Sequence, residues 1–204
     1  LLVERAQLRN VARITRHSGR LVADFVQLDG LPVTLINMGI IGAAATVYVL
    51  VVGGDLNGPT IGGVFTICGF GAFGKHLKNI IPVVLGVVIS SFFMVWSLSE
   101  PNVLLAALFA TGLAPIAGSR LEWGSAAGVI HASVVLNTGF LHGGLNLYNN
   151  GFSAGLVCIV LVPLIERCAG TGNNRGNRYG SYSQKDDESD RRADRVLFQR
   201  RLGR

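Results

Sequence analysis

Apolar residues fill the chain between positions 31 and 165, and charged residues interrupt them at six points. The six are Asp55, Lys75, Lys78, Glu100, Arg120 and Glu122. They leave charge-free runs of 25, 19, 21, 19 and 43 residues. A helix needs about 20 apolar residues to cross the hydrocarbon core of a bilayer. The pattern therefore predicts an all-α, polytopic membrane bundle of about six spans, placed near 31–54, 56–74, 79–99, 101–119, 123–142 and 146–165.

The first 30 residues carry a regular stripe of arginines. It consists of Arg5, Arg9, Arg13, Arg16 and Arg20. Spacings of three and four residues place side chains on one face of a helix. We expect residues 1–30 to form a basic amphipathic helix in the membrane interface, with these arginines binding anionic lipids. The alternative is a connector helix that packs on the rest of a longer chain or on another membrane subunit.

The distribution of charged residues predicts how the chain is oriented in the membrane. The net charge is +6 and the pI about 9.7, which in a soluble protein would indicate nucleic-acid binding. Here the cations flank apolar runs, so we expect a multi-pass protein of the cell membrane with both termini cytoplasmic and no nucleic-acid partner. Residues 166–204 are expected to be a disordered cytoplasmic tail. In a competing arrangement, 61–73 and 125–140 re-enter the membrane and four spans remain.

Glycine is frequent in the second and fifth predicted spans, and these two are expected to be interrupted helices. Glycines four residues apart let helix backbones approach closely. Three residues recur 66 positions later: Gly58, Gly62 and His76 match Gly124, Gly128 and His142. With three spans in each half, the halves would have opposite orientations, so the pattern favours a 3+3 inverted repeat of the kind found in transporters. Spans 2 and 5 are then expected to meet near the midplane, at Gly58–Gly63 and Gly124–Gly128. The other four spans have the pattern of ordinary lipid-compatible helices.

Polar residues within or beside the apolar runs, and two glycines of the second predicted span, are the candidates for solute binding. They are Asp55, Asn57, Gly58, Gly62, His131, Asn137 and His142. A histidine near the bilayer centre, such as His131, is a functional candidate because polar groups there are costly. The alternative for His131 is a neutral ring that hydrogen-bonds a neighbouring helix. No catalytic motif, metal-binding spacing or cofactor motif is found, so an enzyme is not expected.

Three segments resemble an uncharacterised family of bacterial multi-pass membrane proteins, a domain of unknown function. They are Gly53–Gly63, Gly69–His76 and His142–Ser153. The resemblance implies a bacterial inner-membrane location and supplies no substrate or site residues. Family members are longer, and this chain does not begin with Met, so it is expected to be a C-terminal part.

These features favour a transporter or channel subunit for a small polar solute or ion. The alternative is a non-transporting membrane scaffold or sensor, and a homo-oligomer is compatible with both. A transporter requires His131, Asn137 and the glycine segments to face one cavity, whereas a scaffold requires them to be packed.

Overall fold

A computed structural model describes residues 13–15, 17, 23–118 and 120–170, except for the side chains of residues 169 and 170. In these ranges the protein is helical and has no strand, which confirms the all-α prediction. One isolated backbone bridge joins Asp24 to Phe73. The chain divides into two compact units, Leu1–Leu161 and Val162–Arg204. The described part of the second unit is the end of the last helix.

Six stretches of helix coincide with the six predicted spans. The helices are α1 Phe25–Leu28, α2 Leu31–Val51, α3 Gly58–Phe70, α4 Leu77–Phe93, α5 Pro101–Ala110, α6 Ala114–Ala117, α7 Leu121–Thr138 and α8 Asn146–Gly170. Two 3₁₀ turns, Thr111–Leu113 and Gly139–His142, follow α5 and α7. The predicted spans 4 and 5 therefore correspond to α5 with α6 and to α7 with the turn that follows it.

Local signals in the sequence explain where these helices begin. Gly30 has a φ of +89°, a conformation that favours glycine, and Pro32 lies in the first turn of α2. At the start of α3, the side chain of Asn57 accepts the backbone N–H of Thr60 at 3.1 Å. The hydroxyl of Thr60 accepts the N–H of Asn57 in return at 2.9 Å. This reciprocal cap satisfies two N–H groups that the helix itself cannot.

Three helical stretches are long and apolar enough to cross a membrane. They are Leu31–Val51, Leu121–His142 and Asn146–Cys168. The stretches Gly58–Phe70, Leu77–Phe93 and Pro101–Ala117 are apolar but shorter. The 13 residues of α3 extend about 20 Å, less than the hydrocarbon thickness of about 30 Å. Six complete crossings are therefore not confirmed. Of the two segments in the re-entrant alternative, 61–73 falls on a short helix and 125–140 on a long one.

Large apolar side chains cover much of the outer surface of the described helices. Phe65, Phe92, Phe93 and Ile159 are each at least 70% exposed. A soluble protein rarely leaves such a surface in water, whereas lipid tails would cover it. The surface is thus compatible with a membrane protein.

A close approach of two helices joins α4 to α7 through two glycines. A Cβ added at Gly86 would lie 2.1 Å from the backbone oxygen of Ser125, and one at Gly128 would lie 2.1 Å from that of Val83. Gly124 is packed as well, against Ala117 and Pro82. The expectation of close packing at the glycines of span 5 is thus correct, but the partner is span 3.

The expected contact between spans 2 and 5 is wrong. Gly58 and Gly62 have no atom within 4 Å of an added Cβ, so they meet open space. Gly63 instead faces Leu108 on α5. The two glycine pairs related by the 66-residue offset therefore have different surroundings, and the structure does not confirm the inverted repeat. The interruption of span 2 is not observed either, since α3 is continuous from Gly58 to Phe70.

The described N-terminal residues pack against the helices that follow. Ile14 and Phe25 are fully buried and form a small cluster with Val33 of α2. Nε of Arg13 lies 3.8 Å from Oδ1 of Asp29. The Arg13 side chain is exposed, whereas that of Asp29 is buried. Arg5, Arg9, Arg16 and Arg20 lie outside the described residues, as do residues 171–204 of the predicted tail, whereas residues 166–170 of that tail belong to α8. This cluster lies within the chain itself, so both the interfacial helix and the connector helix stay predictions.

Candidate binding site

The loop between α3 and α4 is held by two buried asparagines. Asn37 on α2 donates from Nδ2 to the backbone oxygens of Gly71 at 2.7 Å and Lys75 at 2.9 Å. Asn79 on α4 donates from Nδ2 to the oxygen of Gly74 at 3.0 Å. Backbone groups of a buried loop need such partners because water does not reach them. The backbone of Lys75 is thereby fixed to α2, and that of Gly74 to α4.

Residues before α2 bind the same loop. The N–H of Phe25 donates to the oxygen of Ala72 at 3.0 Å. The ring of His76 donates from Nε2 to the oxygen of His17 at 2.9 Å. Burial, together with the nearby charges of His17 and Lys78, lowers the pKa of His76 below its usual 6.5. His76 is thus a buried, neutral part of the support for this loop.

The side chain of Lys75 places its ammonium among helices. Nζ donates to the hydroxyl of Thr111 at 3.2 Å and lies 4.4 Å from the centre of the Phe70 ring. Within the described ranges, no carboxylate lies within 4 Å of this ammonium. Burial lowers the pKa of Lys75 to about 8. A cation in this setting is incompletely compensated, because one hydroxyl and one ring replace only part of its hydration.

Thr111 lies where the fourth predicted span is broken. α5 ends at Ala110, and a 3₁₀ turn leads into α6. In a continuous α-helix the oxygen of Thr111 would accept the N–H of residue 115, which is Pro115 and has none. The N–H of Ala114 donates to that oxygen instead. The 3₁₀ turn thus interrupts the α-helical hydrogen bonding for three residues within the apolar helical stretch Pro101–Ala117.

A cavity of about 330 Å³ adjoins the Lys75 ammonium, and we call it the Lys75 cavity. It lies between the end of α3, the break after α5 and the first turns of α8. Its polar lining residues are Thr66, Lys75, Thr111 and Asn150. Its apolar lining residues are Ile67, Phe70, Phe73, Leu108, Phe109, Ala114, Pro115, Leu147 and Ala154. Its volume is within the range of small-molecule sites.

A second, almost wholly apolar cavity of about 240 Å³ lies between α2, α4 and α5. It shares Ile67, Leu108 and Thr111 with the Lys75 cavity. The two cavities therefore adjoin along these three side chains.

Asn150 links the Lys75 cavity to His131. Nε2 of His131 lies 3.0 Å from Oδ1 of Asn150 and donates to it, since an amide oxygen accepts only. His131 is fully buried, and within the described part of the chain its Nδ1 has no partner. Nearby, Asn149 donates from Nδ2 to the oxygen of Val135 at 2.7 Å and accepts from the hydroxyl of Thr138. These bonds join the first turns of α8 to α7.

The candidates near the start of α3 serve the helix cap. Asp55 is exposed, and its backbone oxygen accepts the hydroxyl of Thr60 at 2.7 Å. Asn57 is the capping residue itself. Gly58 and Gly62 are exposed on the surface of α3. The structure does not bring these four residues to the Lys75 cavity.

The three candidates on and after α7 have separate surroundings. His131 packs against Asn150 and is not among the residues that line the two cavities described above. Asn137 is exposed and donates to the oxygen of Ser133 in its own helix. His142 lies in the 3₁₀ turn, with its ring centre 5.1 Å from that of Phe152. His131 and Asn137 thus line neither of the two cavities described above, and the polar cavity expected around them stays a prediction.

Sequence reasoning missed the residues that do line a cavity together. From the sequence, Lys75 is one of the cations that indicate orientation, and Asn150 is not among the candidates for solute binding. Pro115 four residues after Thr111 is a signal that could have located the helix break. The sequence carries no comparable signal that the Lys75 side chain contacts Thr111 and Phe70.

Fold and site together define an all-helical protein whose described helices include three that are long and apolar enough to cross a membrane. The chain belongs to the family described as protein of unknown function (DUF1576), whose model matches residues 3–167. The resemblance to an uncharacterised family is thus confirmed. Comparisons with curated proteins and with solved structures gave no match.

Proposed function

We propose that the protein is a transporter or channel subunit for a small polar solute or ion, and that the Lys75 cavity is its binding site. The observation that carries this proposal is the Lys75 ammonium, which lies beside a cavity without a carboxylate partner in the described ranges. An ionisable group among apolar helices is costly, so its presence indicates a role in binding or conduction.

The break after α5 supports the same interpretation. Irregular backbone is tolerated within a membrane only where protein or a water-filled cavity meets it. Interrupted helices also line the substrate sites of many transporters. Here the break at Thr111 and the ammonium of Lys75 face one cavity, at a different span from the one predicted.

The proposed arrangement in the membrane has six crossings and both termini in the cytoplasm. It places Lys75, Lys78 and Arg120 on the cytoplasmic side, as the positive-inside rule requires. Under this arrangement the Arg stripe contacts the anionic cytoplasmic leaflet. The Lys75 loop would then form the cytoplasmic end of the site.

A membrane scaffold or sensor is the second candidate. Packing of His131 against Asn150, and of Gly124 and Gly128 against neighbouring helices, favours it, because these groups were expected to face a cavity in a transporter. In this case the basic N-terminal segment would bind lipid, another subunit or the remainder of a longer chain.

The test is solute entry into proteoliposomes that contain the purified protein. Osmotic shock with a panel of small solutes, neutral, anionic and cationic, is followed by light scattering. We expect at least one solute to enter faster than into protein-free liposomes. Lys75→Met should change that rate by about tenfold, because the substitution removes the only charged group lining the Lys75 cavity within the described ranges.

Lys78→Met is the matched control. Lys78 is a cation three residues away, exposed and not among the cavity-lining residues. Its substitution should leave the rate unchanged. If no solute in the panel enters faster with the protein than without it, the transport proposal fails and the scaffold remains. If Lys75→Met and Lys78→Met change the rate of solute entry equally, the protein transports solutes but the Lys75 cavity is not the binding site.

A further inference from the structure

The polar groups around the Lys75 cavity are mostly committed to bonds within the protein. Thr66 donates to the oxygen of Gly62 at 2.8 Å, and Thr111 donates to that of Leu108 at 2.7 Å. Asn150 accepts from His131 and donates to Asn146 at 2.8 Å. The ammonium of Lys75 has three N–H donors and one hydrogen bond among the described residues. It therefore offers the largest free donor capacity in the cavity.

The rest of the wall is apolar. Aromatic and aliphatic side chains, among them Phe73, Phe109 and Leu147, line the same cavity. A polar body, or a second charge on a ligand, would lose its hydration against this wall without replacement. A cation would be repelled by Lys75. The lining thus matches a ligand with one negative group and an apolar remainder.

We propose that the Lys75 cavity binds a small amphipathic monoanion, a carboxylate with a short apolar chain. The carboxylate pairs with the Lys75 ammonium, and the chain lies against the aromatic wall. The cavity volume of about 330 Å³ is in the range of sites for small molecules. The inference rests on the proposed function, since it names the class of solute that the site takes.

The pKa of Lys75 supports this assignment. Because burial lowers it to about 8, the ammonium is protonated at pH 7 and loses its proton as the pH rises through 8. A carboxylate is ionised over this whole range. Affinity for the anion should therefore fall between pH 7 and pH 9, whereas affinity for a neutral analogue should not change.

The experiment compares three probes of matched chain length, hexanoate, hexanol and hexylammonium, on the full chain in lipid nanodiscs. Binding is measured by titration calorimetry, with empty nanodiscs subtracted. We expect hexanoate to bind at least about tenfold more tightly than either analogue at pH 7. Lys75→Met should abolish this preference, while Lys75→Arg and Lys78→Met should keep it. Thermal unfolding of each variant shows whether it is folded.

Each other outcome has a distinct meaning. Equal affinity for hexanoate and hexanol, or a preference that survives Lys75→Met, overturns the inference. If a neutral solute enters proteoliposomes while carboxylates show no preference, the inference fails and the transport function stands. If hexanoate binds through Lys75 and no solute enters, transport fails and the anion site stands.

Discussion

Replacing Gly128 by alanine should destabilise the helix bundle at the contact between α4 and α7. The added Cβ would lie 2.1 Å from the backbone oxygen of Val83 and 3.0 Å from the Cα of Gly86. A carbon and an oxygen come no closer than about 3.3 Å even in a weak hydrogen bond, so α4 and α7 must separate by about 1 Å. Overpacking of this kind costs about 1–3 kcal/mol.

Gly62→Ala is the control, because it makes the same chemical change inside a helix with no atom within 4 Å. Alanine favours a helix over glycine by about 1 kcal/mol, so this variant should be as stable as the original or more stable. Helix propensity cancels between the two variants. Their difference in unfolding free energy, about 1–3 kcal/mol, therefore measures the clash alone.

Equilibrium unfolding in mild detergent titrated with dodecyl sulfate gives this difference. Gly86→Ala disturbs the same contact from the other side, with an added Cβ 2.1 Å from the oxygen of Ser125. Once the helices have separated for one alanine, the second needs little further movement. The combined Gly86→Ala, Gly128→Ala variant should thus lose less than the sum of the two. Equal stability of the Gly128 and Gly62 variants would refute the contact.

Three further outcomes are expected. A cysteine that replaces Glu100 should react with an impermeant thiol reagent added outside the cell, whereas a cysteine that replaces Lys78 should not. Labelling of the cysteine at position 78 from outside would favour the re-entrant arrangement. Asn37→Leu should lower the unfolding free energy by about 1–3 kcal/mol in the dodecyl sulfate titration, because the backbone oxygens of Gly71 and Lys75 lose their donor. An unchanged value would show that water replaces the amide. Burial lowers the pKa of His76 in the folded state, so stability should be greatest above pH 6.5 and decrease below it, as the unfolded chain takes up the proton more readily. Melting temperatures of His76→Gln should lack this part of the pH dependence.

The approximate positions of the helices could be predicted from the sequence because several charged residues and glycines fall between apolar runs. Asp55 and Glu100 separate neighbouring helices, and Gly30 precedes the first long one. Helix length was less predictable. The 19-residue run at 56–74 contains a 13-residue helix, since its capping residue is Asn57 and its last residues form the Lys75 loop.

Helix pairing could not be predicted from glycine spacing. Gly62 and Gly128 occur in the same four-residue pattern, yet one meets open space and the other a backbone oxygen. The spacing shows that close approach is allowed, whereas the partner is set by the packing of all the helices together. For the same reason, the sequence indicated correctly that His131 is buried but did not locate the cavity. That cavity is lined by Lys75, Thr111 and Asn150, which come from three different elements.

The two bonds that join the N-terminal residues to the Lys75 loop limit how the Arg stripe should be studied. A shortened chain that started at Gly30 would remove the stripe and, with it, the N–H of Phe25 and the oxygen of His17, which hold Ala72 and His76. The loop that carries Lys75 would lose both of these bonds. A change in solute binding after such a deletion would therefore report on loop order as much as on lipid contact. Charge-neutralising substitutions in the stripe keep both backbone partners, and they separate the two effects.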